Sequence, residues 1–192
     1  MTAAERERLR RLANRQLEVF HSEKNQRRIA LWKLHNACRG ERPMLHVETD
    51  TFEHEVIEPL LQCTDPVARR LETDLYRNFY NLAEFDDDWV APDYFGVKWE
   101  TWFHPFGHKV TSHTATDING NSVGYQFDYV IADLEDDWDK LGKADFGVDT
   151  AATERYFQAA QEAFGDILPV RMTMQSLGAV PTQQVVHLMG ME

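Results

Sequence analysis

The stretch FDDDWVAPDYFG, Phe85 to Gly96, decides how this chain is read. Asp86, Asp87 and Asp88 run straight into Trp89, Val90 and Ala91, and then into Pro92. The apolar run predicts a strand between Glu84 and Pro92. A carboxylate stripped of water without a partner is costly, so three of them beside such a segment are solvated, paired or used.

Working back from that stretch, Thr64 and Asp65 precede Pro66, a helix start in which proline at the first helical position gives up no needed donor. Leu71, Leu75, Phe79 and Leu82 then recur on one face of a helix ending near Leu82. Further back, RPMLHVET, Arg42 to Thr49, reads as a short strand. Residues from about Ala3 to Phe20 and from about Glu23 to Cys38 read as helices, the second stopped by Gly40.

Downstream, GVKWETWFHPFGHKVTSHTATDINGNSVGYQFDYVI (96–131) is aromatic and β-branched. NGN at its centre punctuates it as a hairpin turn does, which predicts an antiparallel excursion. Asp133 to Leu141 reads as helical turns. Asp149 or Thr150 caps a helix with Tyr156, Ala159, Ala160 and Ala163 on one face before Gly165, and DILPVRMTM (166–174) reads as a third strand. The rhythm is that of parallel β/α units, an α/β fold class.

Composition narrows the classes. The 192 residues carry a formal charge of -12, yet up to Arg42 there are 11 Lys+Arg against 5 Asp+Glu. The remainder holds 9 against 27. Leu9, Leu12 and Leu17 make the basic part an amphipathic helical arm over 1–40, ahead of an acidic body over 41–192 that repels phosphate backbones. The expected partners include neither nucleic acid nor membrane, because no apolar stretch is long enough to span. Cys38 and Cys63 lie outside any CxxC or Cys/His spacing and read as ordinary thiols, which with the missing signal sequence points to a reducing cytoplasm.

FDDDWVAPDYFG resembles the stretch around the active-site aspartate of the uroporphyrinogen decarboxylase family, roughly Phe-Ser-Asp-Ile-Leu-Val-Val-Pro closing on Gly. An ungapped match puts the family aspartate on Asp87, its proline on Pro92 and its glycine on Gly96. DKL at Asp139, and FGDILPVRMTMQSLGAV from Phe164, are similar to the family's helix ahead of the third unit and to its third strand and loop. The resemblance runs from about Arg28 onward. It implies a (β/α)8 TIM barrel, which takes roughly 250 residues, so this chain would be its N-terminal part with about three β/α units. It also implies that Asp87 is catalytic, hydrogen-bonding pyrrole N–H groups and steadying a cationic intermediate.

One departure separates the branches. Where the decarboxylases carry an arginine-rich loop for a polycarboxylate porphyrinogen, this chain reads HVETDTFEHEVIEP (46–59). Glu48, Asp50, Glu53 and Glu55 reverse the local field. The expectation therefore shifts to the superfamily's corrinoid-dependent methyltransferase-like branch, which implies zinc and a partner's corrinoid, with a small-molecule or tetrapyrrole-type substrate. The alternatives are porphyrinogen decarboxylation proper and a half-barrel binding module that self-associates through an open sheet edge.

Around Asp87, a one-residue register slip would bring Asp86 or Asp88 to the site, and Tyr94 joins the substrate-binding set. On the first expected strand His46 and Glu48 share a face, either to exchange a proton or to form a structural pair. Thr173 and Gln175, after the third strand, either bind substrate or cap a helix. His104, His108 and His113 suggest a metal, but HPFGH is interrupted by proline and glycine, so no metal ligand set is assigned.

Overall fold

The structure is a computed structural model that describes residues 1–49, 52–118, 122–174 and 180–190. The chain divides into two compact units: Met1–Val97 with Glu154–Met172, and Lys98–Thr153 with Thr173–Glu192.

In the first unit, α1 (Ala3–His21) opens with a capping box: the Thr2 side chain accepts from Glu5 N–H, and Glu5 reaches back to Thr2 N–H. Ser22 separates it from α2 (Glu23–Asn36) and caps that helix through Asn25 N–H. The stop of α2 differs from expectation. Ala37 caps it and Cys38, not Gly40, takes the left-handed conformation at φ 54°. A short turn, α3 (Glu53–Val56), precedes α4 (Pro66–Glu84), where Asp65 accepts from Val67 and Ala68 N–H and Pro66 fills the first turn.

The apolar face of α4 sits where its spacing put it: Leu71, Leu75, Phe79 and Leu82 are all buried. Leu9, Leu12 and Ala13 of α1 join the same core, so the basic helix packs as a structural layer. The core is completed by Phe95 and Val97 of β1 (Phe95–Lys98) and by Tyr156, Ala160 and Phe164 of α5, introduced below.

In the second unit, β2 (Thr101–His104), β3 (Ser112–Thr116), β4 (Ser122–Phe127) and β5 (Asp145–Val148) form two antiparallel ribbons. The expected hairpin is there: β3 pairs with β4, Ser112 opposite Phe127 and Ala115 opposite Gly124. Its NGN turn lies outside the described residues. β2 pairs with β5, Trp102 opposite Gly147, and a Cβ at Gly147 would fall 2.2 Å from the Trp102 ring, so glycine there lets the indole lie across the ribbon. Between them, 133–141 forms turns and the 3-10 turn Trp138–Lys140. Of the remaining elements, α5 (Thr150–Phe164), which ends at Gly165, and β6 (Val170–Thr173), which pairs with β1, lie mostly in the first unit, and α6 (Pro181–Met189) lies in the second.

The fold is mixed α/β, with three two-stranded sheets and no closed barrel among the described residues. Two of the three expected parallel strands need correction: neither Arg42–Thr49 nor Glu84–Pro92 is a strand. Asp86 takes a left-handed conformation at φ 55°, which an aspartate tolerates, and this turns the chain out of α4 before any strand can start. The third expected strand is present but shortened to β6, and its partner β1 lies at the start of what was read as the excursion.

Leu75 is fully buried at the centre of the α4 face. Leu75→Ala is expected to destabilise the protein by about 3 kcal/mol through lost burial and the cavity left behind. Urea unfolding checks this, and a loss under about 1 kcal/mol would contradict an α4-centred core.

Candidate functional site

The three aspartates have distinct environments. Asp86 is exposed and pairs with Lys24 (2.9 Å) and Arg28 (3.0 Å). Asp87 and Asp88 are buried, at 4% and 3% relative exposure, and each is surrounded by donors.

Asp87 uses both oxygens. Oδ2 accepts from Val47 N–H at 2.9 Å and from the Asn81 amide at 2.9 Å, while Oδ1 accepts from Trp89 N–H at 3.0 Å. Asn81 also donates to Val47 O at 2.6 Å. Asp88 receives a two-pronged contact from Arg42, at 2.7 and 2.6 Å, and a further donor in Leu45 N–H at 2.8 Å. Arg28 lies 3.2 Å away. The Arg42 guanidinium first, then Leu45 N–H and Arg28, hold the Asp88 carboxyl far below the usual carboxylate range against the upward push of burial.

These contacts explain why 42–49 runs beside 86–89 without becoming a strand. One backbone bond joins them, Asp88 N–H to Leu45 O at 2.8 Å. The amides of Leu45 and Val47, which a ladder would direct to carbonyls, end on aspartate side chains instead.

Polar residues on the helices hold the far side of the same segment. Asn25 exchanges two bonds with the Ala91 backbone, at 3.1 and 3.0 Å. Arg28 Nε donates to Asp87 O, and Trp32 Nε1 to Asp88 O at 2.7 Å. Gln16 reaches Pro92 O and Tyr94 O, both at 3.0 Å. None of Gln16, Asn25, Arg28, Trp32 or Asn81 was singled out in the sequence reading. The available signal was spacing: Asn25, Arg28 and Trp32 fall three and four apart, on one helical face.

His46 is exposed and stacks on Trp89 at 4.6 Å between ring centroids. Beside this pair an open groove of about 490 Å³ is walled by Ile29, Trp32, Lys33 and Asn36 of α2 and by Trp89 and Val90. Glu48 is exposed, in irregular chain, so the strand face it was expected to share with His46 does not exist. Tyr94 lies under the Arg171 guanidinium, 4.8 Å from the ring centroid. Thr173 closes β6 and belongs to the second unit, while Gln175 and Asp50 lie outside the described residues.

The three histidines of the excursion have separate partners. His104 lies 3.4 Å from Asp145, His108 2.6 Å from Lys140 O, and His113 3.0 Å from Asp128. No group of three His, Cys, Asp or Glu that could hold a metal occurs among the described residues, and no helix among them is long and apolar enough to cross a membrane. Cys63 is buried, and burial first, then its bond to Glu72, pushes the thiol up to about 12. Cys38 is exposed, and both cysteines are free. Compared with known families, curated proteins and solved structures, the chain has no significant match to any.

Because the Asp88 carboxyl is depressed in the folded state, its contribution is complete above the unfolded value, near 4, and is lost as pH falls through the lowered one. Asp88→Asn is expected to cost about 2 kcal/mol at pH 7, in the range for charge-assisted bonds. The gap to the parent protein should shrink steadily below about pH 4. Urea unfolding at several pH values checks this, and an undiminished gap at pH 2 would contradict the ion-pair account.

Proposed function

We propose that this chain is part of a uroporphyrinogen decarboxylase-superfamily enzyme of the corrinoid-dependent methyltransferase-like branch, and that its first unit supplies a binding platform. The family reading rests on the spacing of Phe85, Asp87, Pro92 and Gly96 and on the segments that resemble the family further along. A TIM barrel is the fold this reading implies for the enzyme as a whole.

The observation that supports this branch over decarboxylation is the engagement of Asp87. Its carboxylate already accepts three protein donors, from Val47, Asn81 and Trp89. Three of its roughly four lone-pair sites are taken and the group is buried, so it has little capacity left for the pyrrole N–H groups of a porphyrinogen, and decarboxylation is the less favoured alternative. The groove agrees. At about 490 Å³ it is in the range for small ligands, and Lys33 is the one cationic wall residue among those described, too little charge for a substrate with eight carboxylates. Asp87 then acts as a positioning residue that sets Trp89 and the chain at Val47.

No group of three His, Cys, Asp or Glu that could hold the zinc implied by this branch occurs among the described residues. Neither the zinc nor a partner's corrinoid takes part in any step assigned to this chain. A non-catalytic half-barrel binding module is the second reading, favoured by the same engagement of Asp87 and Asp88. A cytoplasmic location belongs to either proposal.

Protein made from the whole reading frame that contains this sequence, mixed with methylcobalamin and a thiol acceptor, tests the reading by absorbance. Demethylation that a zinc chelator abolishes is the expected result. Carbon dioxide release from uroporphyrinogen would replace it with decarboxylation, and inactivity in both assays would leave the binding module.

A further inference from the structure

The groove beside α2 has a chemical character of its own, independent of the superfamily reading. Its two indoles are fixed by their own N–H groups, Trp32 on Asp88 O at 2.7 Å and Trp89 on Asn78 O at 2.9 Å. With those donors spent, the rings offer the groove only apolar surface, to which Ile29 and Val90 add aliphatic walls. His46 is already stacked on one face of Trp89. A flat, rigid guest loses little entropy on entering such a slot.

Three polar groups at the same groove make no hydrogen bond or ion pair with a described residue: Lys33 Nζ, the Asn36 amide and the His46 ring, the last stacked on Trp89. Lys33 is its only charged wall residue among those described, and the acidic groups of the neighbouring segment, Asp86 and Asp88, are taken up by Lys24, Arg28 and Arg42. An unpaired cation and two hydrogen-bonding side chains beside an aromatic slot complement a carboxylate on a flat ring. We infer that this groove binds a small planar aromatic carboxylate, its ring against Trp32 and Trp89 and its carboxylate toward Lys33. The volume of about 490 Å³ accommodates one or two fused rings. The opening to solvent limits affinity, and a guest of this size is held with a dissociation constant of about 1 mM.

The test is a titration of the protein with 2-naphthoate, followed by the NMR signals of the five tryptophan indole N–H groups. Trp32→Phe and Trp89→Phe assign the two that matter. The expected result is movement of the Trp32 and Trp89 signals, with binding about threefold weaker in Lys33→Met and for the uncharged 2-naphthamide, the size of one solvent-exposed ion pair. No movement up to about 10 mM ligand, ten times the expected constant, overturns the inference. So does movement confined to Trp99, Trp102 or Trp138, or amide binding as tight as that of the acid. Lys33 is exposed, so Lys33→Met leaves the fold intact and the charge test stands even where a tryptophan variant does not fold.

Discussion

Two buried carboxylates take the place of a strand's carbonyls, and the first unit is organised around that substitution. Asp87 and Asp88 together bind the amides of Leu45, Val47 and Trp89, the Asn81 side chain and the Arg42 guanidinium. A buried carboxylate without such donors would cost several kcal/mol or take up a proton. With them, it fastens two stretches of irregular chain, 42–49 and 86–89, that share one backbone bond. Of the three fates open to the aspartate run, Asp86 is the solvated ion pair, and Asp87 and Asp88 are the paired groups.

The arrangement constrains chemistry. A carboxylate that already accepts three bonds is held in one geometry, which suits positioning better than proton traffic. What the aspartates position is aromatic: Trp89, set through its backbone, and Trp32, whose indole N–H is drawn to Asp88 O. The groove they line is thus shaped by the same bonds, and binding is the role the proposed function gives it.

The sequence made some of this legible. Helix α4 was readable because a proline start, an aspartate cap and an apolar residue every three or four positions all point the same way. The hairpin of β3 and β4 was readable from local alternation around NGN. The two absent strands were misread because Met44–Val47 and Trp89–Ala91 are short apolar runs, in which periodicity cannot separate a strand from extended chain held by side chains. The burial of Asp87 and Asp88 depends on donors 40 or more residues away, Val47 and Arg42, which no local pattern links to them. The pairing of β2 with β5 is long-range in the same sense. The polar helix residues were passed over because Asn25 and Arg28 look like ordinary members of a solvated face until the backbone they satisfy is in view.

The most direct measurement of the central claim is amide hydrogen exchange at Leu45 and Val47, compared with the middle of α4. If the aspartate carboxylates hold these amides, both are protected in the parent protein, Val47 loses protection selectively in Asp87→Asn, and Leu45 does so in Asp88→Asn, while the α4 amides keep theirs. Exchange of Leu45 and Val47 in the parent protein as fast as in open chain would contradict the account.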